Sequence, residues 1–144
     1  MKIRKALPLD ADALASVENT QPHSAHWGKK GFLSESVSAS SRIWCVHQEG
    51  DIKGFLALRF AAGFCEILNL AVLPDCCRKG LGTALMQYAF TDLEKQGVQQ
   101  ITLEVNVKNT PAILLYEKLG FRSVGRRSKF YNDTDDALIM EKTL

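Results

Sequence analysis

The spacing of apolar residues changes period several times along the chain, and each change predicts an element. Residues 1–6, "MKIRKA", alternate as a strand does. Residues 8–20 follow with Pro8 near a helix start and Ala13, Leu14 and Val17 at helical spacing. Residues 21–41 are polar and contain Gly and Ser; a short helix around Trp27 to Glu35 would carry Trp27 and Phe32 on one side. Residues 42–73 predict three strands, the first two joined by a hairpin at "QEGD" and the third entered through a turn near "AAG". Residues 82–97 form a helix with Leu81, Leu85, Tyr88, Ala89 and Leu93 on one stripe and Gly97 as its stop. In residues 98–107, Ile101, Leu103, Val105 and Val107 take one strand face and Thr102, Glu104 and Asn106 the other. "KNTPAILLYEKLG" supplies cap candidates Asn109 and Thr110, Pro111 at the helix start and Gly120 at its end. Two strands around "NDTDD" complete the chain. This order predicts a single α/β domain spanning 1–144, with a mixed, mostly antiparallel sheet of six to seven strands and about four helices. The strand-helix-strand from Glu66 to Val107 should bring two parallel neighbours together.

Composition adds mainly exclusions. With 144 residues, 46% of them hydrophobic, the chain can bury one real core. A net charge of +2 is too mild to point to nucleic acid, so no direct nucleic-acid binding is expected. The N-terminus lacks the apolar run of a signal peptide, and the most apolar stretch, residues 54–73, is interrupted by Arg59, Glu66 and Asn69. A cytoplasmic protein without a membrane role is expected, its oligomeric state open and a monomer favoured. Cys45, Cys65, Cys76 and Cys77 form no CxxC pair, and His23, His26 and His47 complete no tetrahedral set, so the expectation is free thiols and no metal.

The candidate chemistry begins at "PDCCRKGLGTAL", residues 74–85. Gly80 and Gly82 precede or open a helix whose first N–H groups, through Leu81 and Thr83, have no intrahelical partner. Such a helix start favours an anion, and Arg78 and Lys79 add cationic charge beside it. The Walker A ending GK[ST] is absent, and the Rossmann pattern fails because position 85 is Leu. Taken alone, the loop is equally a glycine turn with solvated cations.

"EILNLAVLPDCCRKGLGTAL", followed one helix later by "LEVNVKNTPAILLYEKLGF", closely resembles the acetyl-CoA-binding core of the GNAT superfamily of N-acetyltransferases. Its loop pattern Q/R-x-x-G-x-G/A is matched by residues 77–82, with Cys77 at the Gln/Arg position. "ILNLAVLPD" and the "GRRSKFYNDTDDALIM" tail look most like the RimI-type ribosomal-protein-alanine N-acetyltransferases. The resemblance implies acetyl-CoA as co-substrate, and the N-terminal segment of a small-subunit ribosomal protein, beginning with alanine, as acceptor partner. A small amine as acceptor and a non-catalytic acyl-CoA sensor are the alternatives.

The resemblance also implies site residues, each with a plainer counterpart. Glu104 would be the general base; by pattern alone it is a charged residue on an outward strand face. Tyr116 would protonate the departing thiolate; its place on the Ala112, Leu115, Leu119 stripe alone makes it a core aromatic. Asn109 would contact the pantetheine region, cap the helix, or do both. The main chains of Leu70, Ala71 and Val72 would pair with the pantetheine arm like an added strand. Arg78, Lys79, Gly80, Leu81, Gly82 and Thr83 would hold the pyrophosphate. Trp27 and Tyr131 would line the peptide groove, with packing as the alternative for Trp27. An α-amine suits the chemistry: deprotonating it at pH 7 costs about 1.4 kcal/mol, against about 4.6 kcal/mol for a lysine.

Overall fold

Alternation along the central strands divides their side chains between two layers of helix. Ile43 and Cys45 of β2 (Ser41–Gln48), with Phe55 and Ala57 of β3 (Asp51–Ala61), are buried against Leu14 and Val17 of α1 (Ala11–Glu18) and Phe32 of α2 (Gly28–Ser36). Their neighbours Trp44, Val46, Leu56 and Leu58 face the other way, into a larger core with Leu81, Leu85, Met86, Ala89 and Leu93 of α3 (Leu81–Lys95) and Tyr116 of α4 (Thr110–Lys118). The computed structural model describes residues 1–23, 25–77, 80–131 and 134–144, Tyr131 by its backbone only.

The remaining strands are β1 (Lys2–Lys5), β4 (Phe64–Val72), β5 (Gln100–Asn106), β6 (Arg122–Tyr131) and β7 (Asp135–Thr143). All seven form one sheet in the order β1-β2-β3-β4-β5-β7-β6, and only the β4–β5 pair is parallel. The expected α/β class, strand count, four helices and parallel neighbours are all present. One stripe assignment needs correcting: Tyr88 is 44% exposed, because Met86 fills the buried position and the Tyr88 ring lies edge-on against Trp44 at 5.0 Å.

Two features of the sheet open a gap in its middle. β4 carries an extra residue: Leu58 faces Ile67 and Ala57 faces Asn69, so Leu68 is a bulge, which bends and twists a strand. β4 and β5 also pair only through Phe64–Ile67 and Gln100–Leu103, and beyond that they part. The turns at both ends use left-handed backbone, with φ of 86° at Gly63 and 80° at Gly80, where glycine carries no Cβ penalty.

β1 is tied to the start of α1 by a two-pronged ion pair. Arg4 donates to both oxygens of Asp10 at 2.8 and 2.9 Å, and the Leu7 N–H adds a third bond at 2.7 Å. The Arg4 guanidinium, opposed in part by burial, holds the Asp10 carboxyl below its usual range. That contribution to stability is present above the unfolded carboxyl's pKa, about 3.9, and is lost as pH falls through the lower folded value. Asp10→Asn should therefore lower the urea midpoint at pH 7, with the gap to the parent protein closing as the pH drops below about 4; a gap that persists at pH 2 would contradict this. Burial pushes the Cys45 thiol up to about 11 and that of Cys65 to about 12, Cys76 is buried, and Cys77 is exposed. Iodoacetamide at pH 8 should label Cys77 in the folded protein and reach Cys45 and Cys65 only after unfolding, as read by peptide mass.

Candidate active site

Where β4 and β5 part, Leu68–Leu70 and Glu104–Asn106 face each other across a cleft of roughly 710 Å³. Its lining includes Asn69, Leu70, Glu104, Asn106, Asn109 and Tyr116, closed on one side by the chain between α1 and α2 (Pro22, His23, Ala25, His26) and on another by Arg127 and Phe130 of β6. Among the described residues no three His, Cys, Asp or Glu side chains gather as a metal site, and no helix is long and apolar enough to cross a membrane.

Each lip of the cleft is fixed by a buried asparagine. Asn69, 6% exposed, donates at 2.8 Å to Glu18, itself only 1% exposed. The Glu18 carboxylate also accepts from the N–H groups of Trp27 and Gly28 at 2.8 and 2.9 Å, at the start of α2. A buried carboxylate is tolerable only with such a full set of donors, and the helix N-terminus adds its dipole. On the other lip, Asn106 donates to Asp135 of β7 at 3.0 Å and accepts from the Lys108 N–H at 2.9 Å. Lys108 closes on Asp135 at 2.7 Å; that ammonium first, then the Asn106 amide, keeps the Asp135 carboxyl below its usual range.

The parted strands leave backbone groups without a ladder partner. Leu73 N–H bonds to the Lys53 carbonyl at 2.8 Å, which makes that pair hydrogen-bonded and, by antiparallel alternation, Phe55 and Ala71 the next. The N–H and C=O groups of Leu70 and Val72 therefore point away from β3, into the opening. Ala71 points its main chain to β3 and buries its side chain, so of these three residues only Leu70 and Val72 turn their main-chain groups away from β3. The Val72 carbonyl is held by Gln21 Nε2 at 2.8 Å.

The structure brings most of the sequence-derived candidates together. Glu104 stands on β5 with its side chain 26% exposed, and its Oε1 lies 2.7 Å from Arg127 Nη2 in an ion pair. Tyr116, 6% exposed, is both core and wall: its ring meets Phe121 at 5.7 Å while it lines the cleft. Asn109 caps α4, accepting from the Ala112 N–H at 3.4 Å, and also lines the cleft. At α3, Gly80 is the N-cap, no side chain caps the helix, and the space where its Cβ would be is open. Gly82 is different. A Cβ there would sit 3.3 Å from Leu115 Cδ2 and 3.9 Å from Val72, so its missing side chain serves the packing of α3 on α4. Leu81 is buried and Thr83 half-buried in the first turn. Arg78 and Lys79 lie outside the described residues, as does the side chain of Tyr131. Trp27 does not line the cleft: its ring packs edge-on against Phe32 at 5.4 Å beneath α2, which is the packing alternative.

Four residues here were not singled out from sequence: Glu18, Gln21, Glu66 and Arg127. Glu18 had a signal, since it falls four residues after Leu14 on the buried face of α1, where a carboxylate needs partners. Gln21, Glu66 and Arg127 had none, because their importance depends on strand register and on contacts between distant segments.

Comparison with known proteins agrees with this geometry. Residues 10–121 match the acetyltransferase (GNAT) family. The [ribosomal protein bS18]-alanine N-acetyltransferase of Escherichia coli K12 is 36% identical over 121 residues, covering 82% of this chain and 81% of that protein. The enzyme of the same name from Salmonella typhimurium is 42% identical with the same coverage. The crystal structure of the E. coli ribosomal-protein-S18-alanine N-acetyltransferase superposes with a TM-score of 0.88 at 31% identity, over 99% of this chain and 92% of that one. A Thermoplasma acidophilum N-acetyltransferase in complex with coenzyme A shares the fold, with a TM-score of 0.84 at 23% identity over 99% and 98%. The chain is thus an N-acetyltransferase belonging to the GNAT family, whose enzymes use acetyl-CoA.

Proposed function

We propose that this enzyme transfers the acetyl group of acetyl-CoA to the N-terminal α-amine, that of alanine, of a small-subunit ribosomal protein. The observation that carries the proposal is the parting of β4 and β5, which sets an unpaired backbone edge, Glu104 and Tyr116 around one cleft. The identity to bS18-alanine N-acetyltransferases supports the choice of acceptor.

In this reading the outward groups of Leu70 and Val72 bind the amide-bearing pantetheine arm as an added strand. The α3 start, from Gly80 through Leu81 and Thr83, offers N–H donors to the pyrophosphate, with Arg78 and Lys79 as its counter-charges. Arg127 engages Oε1 of Glu104 and so orients the carboxylate, leaving Oε2 without a protein partner among the described residues. That oxygen takes the proton of the incoming ammonium, directly or through water. The freed amine attacks the thioester carbon; a C–N bond forms, the C–S bond breaks, the Tyr116 hydroxyl supplies the proton to the departing thiolate, and the second proton shed by the acylated nitrogen returns through water to the Tyr116 phenolate. Phenol and thiol differ by about 1.5 pKa units, so the transfer depends on Tyr116 being held close to the sulfur. Asn109 and the segment ending at Trp27 support the walls, and Tyr131 completes the acceptor side.

Glu104→Gln and Tyr116→Phe keep shape and remove the proton-carrying group. Each should lower kcat by roughly 10² to 10⁴-fold with coenzyme A affinity nearly unchanged, read by thiol release on a peptide starting Ala-Arg and by calorimetry. Wild-type turnover in both variants would sink the assignment. The same peptide with a blocked N-terminus, a lysine peptide and small amines should be inert; turnover on a small amine alone would overturn the acceptor but not the family.

A further inference from the structure

Three carboxylates line the cleft: Glu66, Glu104 and Asp135. Two carry a cation from this chain, Arg127 on Glu104 and Lys108 on Asp135, each at 2.7 Å. Glu66 is exposed and has no partner among the described residues. The basic residue opposite it on β3, Arg59, is engaged instead by Glu35 of α2. A carboxylate left without a counter-ion, in a cleft whose other acids are satisfied, favours a cation brought by a ligand.

Strand register places that carboxylate relative to the candidate base. Glu66 stands opposite Thr102, one step before the strands part, so its side chain shares the sheet face of Thr102 and Glu104. With strands about 4.8 Å apart and a rise of about 3.3 Å per residue, the Cα atoms of Glu66 and Glu104 are separated by about 8 Å. An extended peptide with its α-amine at Glu104 covers that distance in two to three residues. For an acceptor running from Glu104 toward Glu66, the side chain that reaches Glu66 is that of its second or third residue. Glu66 is exposed and lines the cleft, so its carboxylate is open to a ligand held there.

We propose that Glu66 is a specificity-determining residue that selects acceptors carrying Lys or Arg within the two residues after the acetylated one. The inference rests on the α-amine acceptor of the proposed function, and it concerns a residue outside the proton-transfer steps. Its contribution is that of a solvent-accessible ion pair, a few-fold in kcat/KM and sensitive to salt.

The test compares kcat/KM for peptides beginning Ala-Arg-Gln, Ala-Gln-Arg, Ala-Gln-Gln and Ala-Glu-Glu, on the full chain and on Glu66→Gln and Glu66→Lys. The parent enzyme should favour one of the Arg-containing peptides over Ala-Gln-Gln by about fivefold at low ionic strength, expressed through KM and shrinking as salt is added. Glu66→Gln should bring that peptide down to the Ala-Gln-Gln value, and Glu66→Lys should reverse the order in favour of Ala-Glu-Glu. An unchanged preference in both variants, or no preference in the parent, would overturn the inference while the α-amine reading stands. Failure of the parent enzyme to acetylate any of the four peptides would overturn that reading and this inference with it.

Discussion

Two parallel strands that part in mid-sheet leave unpaired N–H and C=O groups, and this is the constraint on which the rest of the structure depends. β4 and β5 stay together only as far as Ile67 and Leu103. Past that point each must be held on its outer side alone: β4 by β3, β5 by β7. The Leu68 bulge bends β4 away, and the buried asparagines Asn69 and Asn106 fasten the two lips to different parts of the fold. An opening kept in this way offers a binding edge, because its outward backbone groups, the Gln21-held Val72 carbonyl excepted, have no partner strand.

The buried polar groups around the opening make sense in that light. Glu18 would be an expensive residue to bury without partners, yet it receives three N–H donors and joins the end of α1, the start of α2 and the β4 lip in one contact set. Gln21 adds a second tie from the same segment to Val72. The wall formed by Pro22, His23, Ala25 and His26 is thereby attached to the strand proposed to carry the cofactor arm. On the opposite side, the Arg127–Glu104 and Lys108–Asp135 ion pairs fix the charges that face the cleft.

Much of this was legible in the sequence, and what was not has a physical reason. Helical and strand periods gave the elements, and Gly80, Gly97 and Gly120 marked the ends of helices as the left-handed backbone there requires. The Leu68 bulge was hidden. Cys65, Ile67, Asn69 and Ala71 are all buried, so the strand reads as one unbroken alternation. Yet Cys65 and Ile67 face the α3–α4 core while Ala71 faces the α1–α2 core, because the extra residue switches the parity just where a second helical layer begins to cover the sheet. Tyr116 shows the limit of periodicity differently: the stripe that assigned it to the core was right, and so was its place on the cleft wall. Contacts such as Glu18–Asn69, 51 residues apart, depend on the folded sheet and leave no local trace.

The central claim is that the outward edge of β4 takes the coenzyme arm as an added strand. Residue-resolved amide exchange measured by NMR with and without coenzyme A tests it most directly. The account predicts that the amides of Leu70 and Val72 slow markedly on binding, while that of Ala71, already bonded to β3, changes little. Saturating coenzyme A that left Leu70 and Val72 exchanging as before would contradict it.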